Sequence, residues 1–295
     1  MQSADFLSAV FFYLKEGENL NQNWIVENLN NAFSTWNGKL GELWGLVTTG
    51  PQTFKGGAVW SVMQTLHNGM VGIGYALVVL FFAISLCKNT MNFHELKRPE
   101  AAIHYFLRFV AAKALVGYGM DIMLNVFSIC NGIVTDMADS MGGISEAMVS
   151  LPAEIQTAIE NVGFLASIPL WLVTILGSLF ITVLSFVMIL TVYGRFFRLY
   201  MYTALAPLPL AAFAGESTQS VGISFLKSYV GVCLEGAVIV LACVIYSAFV
   251  STPTVTSGEA TTIVWSYLAE TVFNMLVLVG LIKGSDRIIH EMMGL

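Results

Sequence analysis

Between Phe164 and Val192 the chain carries no charged side chain, and this run constrains the fold more than any other feature of the sequence. A helix needs ~20 mostly apolar residues to cross the hydrocarbon core of a bilayer. The run, taken as 162–192, is long enough with residues to spare. Three further stretches qualify: 59–87, whose most apolar part is 70–87, then 229–250 and 262–282. A fifth, 101–131, is apolar but holds Arg108, Lys113 and Asp121. A charge at the bilayer centre costs roughly 2.5–3.5 kcal/mol on insertion scales, so this helix is expected to turn its charges toward protein or water.

The reading is therefore an all-α polytopic helical membrane protein with about five transmembrane helices. Composition agrees. Only 11% of the 295 residues are charged and 56% are hydrophobic, whereas a soluble domain carries about 25% charged residues. Lipid must replace water over much of the surface. The formal net charge of −6 argues against a nucleic-acid-coating surface, which would be basic. Cys87, Cys130, Cys233 and Cys243 sit in or at the ends of apolar runs and read as small buried hydrophobes. Asp5 precedes the short apolar run 6–14 with no basic region ahead of it, so insertion is expected to use the spans themselves.

Basic residues set the orientation, because cytoplasmic loops accumulate Lys and Arg. Lys88, Lys97 and Arg98 follow the first span, Arg195 and Arg198 the third, and Lys283 and Arg287 the last. The stretch 132–161 has Asp136, Asp139, Glu146, Glu154 and Glu160 but no base, and 251–261 has only Glu259. The expectation is an outside N-terminus and an inside C-terminus in the cytoplasmic membrane, with 132–161 as an outside loop. Residues 199–214 are apolar but interrupted by Pro207 and Pro209, which remove backbone donors and break a helix. This piece reads as a re-entrant or interfacial hairpin hinged at the two prolines, with a sixth span as the alternative.

Residues 1–58 differ. Ile25, Leu29, Phe33, Trp36, Leu40 and Leu43 recur at helical spacing, opposite Glu27, Asn30, Asn31, Ser34 and Lys39. Two readings fit: an amphipathic helix on the outer leaflet with Trp24, Trp36 and Trp44 at headgroup depth, or a helix packed on partner protein. Gly50-Pro51 ends it. Residues 152–162 read as a short amphipathic helix opened by Pro152.

No phosphate loop, nucleophile elbow or metal-ligand spacing is present; His67, His94, His104 and His290 are scattered. The inventory fits a protein that moves or anchors something, without catalytic residues, metal or cofactor. The sharpest polar signal is intramembrane. His104 and Arg108 share a helix face, Lys113, Gly117, Asp121 and Asn125 form a stripe at spacing four, Glu235 opens one span, and Glu270 and Asn274 share a face in the last. Arg108, Lys113, Asp121, Glu235, Glu270 and Asn274 either line a hydrated path or subunit seam, or pair structurally, as Lys113 would with Glu235 or Glu270. Gly69, Gly72, Ala76 and Ala83 mark a close-packing face of the first span.

Gly194-Arg195-Phe196-Phe197-Arg198-Leu199-Tyr200 leads into Ala204-Leu205-Ala206-Pro207-Leu208-Pro209-Leu210-Ala211-Ala212-Phe213, and Phe225-Leu226-Lys227-Ser228-Tyr229 opens a span with Glu235-Gly236. This order resembles the TrbL/VirB-type polytopic inner-membrane subunit of type IV secretion and conjugation machines, most closely the versions of Gram-positive conjugative elements. About a third of the chain carries the specific likeness; elsewhere the agreement is in hydropathy and topology. The resemblance implies an oligomeric core component of the translocation channel, without ATPase activity. It would work with the driving ATPase and the coupling protein, on a cargo of single-stranded DNA bound to relaxase, or of protein. The chain shows no large basic surface for DNA. Arg195 and Arg198 would sit at the cytoplasmic mouth, where their guanidinium groups suit docking of cargo or ATPase. The competing class is a small-solute transporter or ion channel built on Lys113, Asp121, Glu235 and Glu270. Such proteins often show repeated halves with matching broken helices, and only one break, at Pro207 and Pro209, is present here.

Overall fold

The computed structural model describes residues 2–90, 99–140, 148–162, 164–249 and 260–295. The chain is all-α, 91% helical, with no strand among the described residues. In order the helices are α1 (Gln2–Thr48), α2 (Ala58–Thr90), α3 (Pro99–Gly117), α4 (Gly119–Ser140), α5 (Ala153–Glu160), α6 (Phe164–Leu205), α7 (Pro207–Ala211), α8 (Gln219–Phe249) and α9 (Ala260–Met293). Most of the basic turn expected at 88–100, the Gly142-Gly143 pair with Glu146, and the acidic turn with Glu259 lie outside the described residues.

Among the described residues four helical stretches are long and apolar enough to cross a membrane: Phe54–Lys88, Ile168–Leu205, Gln219–Phe249 and Thr261–Met293. The protein is a multi-pass membrane protein. The stretch 101–131, read above as one span, is two helices: Ile103–Gly117 and Gly119–Asp139 meet at a bend of 73° and make a fifth crossing only if counted together. Glycine explains the bend's position. A Cβ on Gly117 would stand 2.8 Å from the Tyr75 hydroxyl, and one on Gly119 would stand 3.3 Å from Leu210 and 3.4 Å from His67. Neither place accepts a side chain without displacement, and two glycines around Tyr118 weaken the helix where it turns.

The chain divides into two compact units. The first comprises Met1–Trp44, Gly142–Thr191 and Ala242–Lys283. In it the apolar stripe of α1 is covered by protein: Ile25, Leu29, Trp36, Leu40 and Leu43 have no exposed surface and Phe33 keeps 2%. Phe33 meets Tyr267 of α9 edge to face, with ring centroids 6.4 Å apart, and the Lys39 ammonium lies 5.9 Å from the ring of Phe186 on α6. Trp36, expected at headgroup depth, is thus a core residue, while Trp24 is exposed. The Asn37 side chain binds both backbone groups of Val149 in the segment before α5. Its Nδ2 donates to Val149 O at 2.8 Å, and Val149 N donates to its Oδ1 at 2.9 Å. Tyr267 Oη donates to Ser150 O at 3.1 Å. Residues 153–160 form the expected short helix, with Pro152 as its N-cap and Ile155 and Ile159 buried.

The second unit comprises Gly45–Met141, Val192–Leu241 and Gly284–Leu295. Residues 199–205 complete α6, and the break comes at Pro207, which opens α7. Ala206, Leu210 and Ala211 are fully buried. A Cβ on Gly74 of α2 would stand 2.9 Å from the Pro207 carbonyl oxygen, so α2 passes α7 at a distance only glycine permits. Nearby, His67 Nδ1 donates to Thr203 O at 2.8 Å. The other face of α2 is open: Ile73, Val79, Leu80 and Ile84 are exposed, leaving apolar side chains for the bilayer.

Candidate functional site

In the second unit Arg198 joins two carboxylates, Glu235 and Asp286. Glu235, on α8, is 1% exposed. Arg198, 37 positions away on α6, donates from Nη2 to both carboxylate oxygens at 2.7 Å. Its Nη1 reaches Asp286 Oδ2 of α9 at 2.8 Å. Ser285 Oγ donates to Glu235 Oε1 at 3.3 Å, and His290 Nε2 lies 3.6 Å from Asp286 Oδ1. One guanidinium therefore joins α8 to α9 through two carboxylates, an arrangement its planar fork suits.

Arg195, one helical turn before Arg198, is entirely buried. Its Nε donates to Val232 O at 3.3 Å, its Nη2 to Cys233 O at 3.2 Å and its Nη1 to Val47 O at 3.4 Å. Gly236 makes this possible, since a Cβ there would stand 2.7–2.9 Å from the guanidinium atoms. Two more buried hydroxyls bind backbone carbonyls in the unit: Tyr200 Oη to Pro51 O and Tyr229 Oη to Met123 O, each at 2.8 Å. Phe54 stacks on Phe196 with centroids 4.0 Å apart, which seats the turn between α1 and α2.

The expected polar residues are thus only partly assembled. Glu235 takes Arg198 as its partner, not Lys113. Lys113 and Asp121 are exposed and Glu270 is half-buried, and none of the three forms an ion pair among the described residues. Arg108 donates to Gln219 Oε1 at 2.7 Å and lies 4.0 Å from Glu216. Glu270 and Asn274 belong to the first unit. Burial removes Arg195 from any docking surface on this chain, while Arg198 keeps 29% of its side chain exposed beside half-exposed Asp286 and His290. Pro207 and Pro209 lie in α7. Sequence reading missed Asp286, Ser285 and the space at Gly236. The available signal was the i, i+4 spacing of Asp286 and His290 in the last turns of α9.

The cluster fixes α6, α8 and α9 to one another. Residues 36–207, well over half of the chain, match the family of TrbL/VirB6 plasmid conjugal transfer like proteins. The chain belongs to that family. This TrbL/VirB6-like protein is therefore a component of type IV secretion and conjugal transfer machinery, in a family of structural components not known as enzymes. The match runs from Trp36 to Pro207, so it includes Arg195 and Arg198 but ends before Glu235. No curated protein and no solved structure matches this TrbL/VirB6-like chain.

Proposed function

We propose that this chain is a channel or platform subunit of a conjugative type IV secretion machine. It sits in the cytoplasmic membrane with its N-terminus outside and its C-terminus inside, self-associates, and works beside the driving ATPase and the coupling protein. The cargo it supports is single-stranded DNA bound to relaxase, or protein. The family match over residues 36–207 carries this reading. The asymmetry of Lys and Arg supports the orientation. The solute-transport reading needs intramembrane charges that act together, whereas Lys113 and Asp121 are exposed without ion-pair partners among the described residues and Glu235 is held by Arg198.

The test is mating from a donor deleted for this gene, with and without the gene restored. Transfer should fall by orders of magnitude in the deletion and return on complementation, while the other machine subunits still accumulate. Normal transfer from the deletion strain overturns the assignment.

A further inference from the structure

In the second unit a pocket of about 510 Å³ opens between the turn after α1 and one face of α4. Gly50, Pro51 and Gln52 form one wall. Asp121, Asn125 and Ser128, spaced to lie on one helix face, form the other with Leu124, Phe127 and Asn131. Among the described residues Asp121 is the only ionic group in this lining, and none carries a positive charge. The remaining polar atoms are amides and one hydroxyl. Asn131 is already oriented: its Nδ2 donates to Thr48 O at 3.2 Å, which leaves its buried Oδ1 without a donor.

Among the described residues this lining carries one negative charge and no positive one. It lies on a helix that counts toward a membrane crossing, where a polar face cannot be left to hydrocarbon. The volume is too large for a bare ion, and one carboxylate does not make a metal site. A guanidinium suits it best. Five N–H donors in a planar fork can reach a carboxylate and a neighbouring amide oxygen together, where an ammonium offers three, and Leu124 offers apolar surface for the aliphatic stem.

We propose that this pocket receives an arginine side chain from a partner protein, with Asp121 as its counter-ion. The site is independent of the transfer function argued above, so its failure would leave that reading standing.

The full chain, purified in neutral detergent, is titrated with a capped tetra-arginine peptide, followed by calorimetry. Tetra-lysine and tetra-glutamine peptides run beside it. Saturable binding of tetra-arginine is expected, at least tenfold tighter than tetra-lysine and absent for tetra-glutamine. Asp121→Asn should weaken it at least tenfold and Asn125→Ala by a smaller factor. Asp139→Asn, an exposed carboxylate on the same helix outside the pocket, should leave it unchanged. Asp121 makes no ion pair among the described residues, so unaltered gel-filtration behaviour is expected for its variant. Four results overturn the proposal: no binding to the native chain, equal binding by Asp121→Asn, equal affinity for tetra-lysine, or displacement of the peptide by phosphatidylethanolamine but not by phosphatidylcholine. The last would make a lipid amine the occupant.

Discussion

The two units handle buried polarity in opposite ways. In the second, buried polar side chains have partners. Arg195 donates to three carbonyls, Glu235 accepts from Arg198 and Ser285, and Tyr200 and Tyr229 each reach a backbone oxygen. The exceptions, Arg198 Nε and Asn131 Oδ1, belong to side chains whose other polar atoms are bonded. In the first unit the Trp36 and Trp171 indole N–H groups and the Tyr246 hydroxyl are buried without a partner among the described residues. Its long-range hydrogen bonds are neutral ones, Asn37 to Val149 and Tyr267 to Ser150, and its ion pair, Lys39 with Glu42, is local and part-exposed. The difference teaches where sequence is most constrained. Charges taken from water fix their neighbours, because removing one strands another. A Tyr or Trp in an apolar core serves mainly through its ring.

The most severe break should come at Glu235. Glu235→Ala leaves Arg195 buried without its nearby carboxylate and Arg198 with only Asp286, and losing one partner of a buried pair costs about 3–5 kcal/mol. The variant is expected to accumulate poorly in membranes and to lose its monodisperse gel-filtration peak on mild heating. Glu235→Ala combined with Arg198→Ala should recover part of that loss. A double variant no better than the single would show that the pair is not the source of the effect.

In the first unit Asn37→Ala removes two hydrogen bonds that hold residues 148–152. About 1 kcal/mol for each is expected, felt locally as faster amide exchange at Val149 and easier proteolysis of the segment, with the rest of the unit unchanged. Unchanged exchange at Val149 would show that Tyr267 and the buried side chains of α5 hold the segment alone.

The smallest effect sharpens the comparison most. Tyr229→Phe in the second unit should destabilise by about 1 kcal/mol, because the hydrogen bond from Tyr229 Oη to Met123 O is lost. Tyr246→Phe in the first unit should be neutral or slightly stabilising, since a buried unpaired hydroxyl is removed. Thermal midpoints of the two variants in the same detergent test this, and the reverse order would erase the distinction between the units.

Sequence alone determined what the bilayer imposes. The lipid core sets a minimum apolar length, so the runs 59–87, 162–192, 229–250 and 262–282 were legible as crossing helices without any tertiary information. The helical stripe from Ile25 to Leu43 was equally legible, because the spacing is a property of the helix itself. What covers that stripe was not. Lipid and protein both accept an apolar face, and only the packed structure shows Trp36 fully buried. The bend at Tyr118 had a local hint in its flanking glycines, yet its 73° depends on Tyr75, His67 and Leu210 occupying the space beside them. Charge pairing was the least legible. Composition and spacing showed that Glu235 needs a cation, and Lys113 was a reasonable candidate. Which cation reaches it depends on how α6 and α8 lie against each other, and that packing brings Arg198 to 2.7 Å across 37 positions of sequence while leaving Lys113 exposed. Tertiary structure alone decided this, because an ion pair is set by distance in space, and one sequence by itself records distance only along the chain.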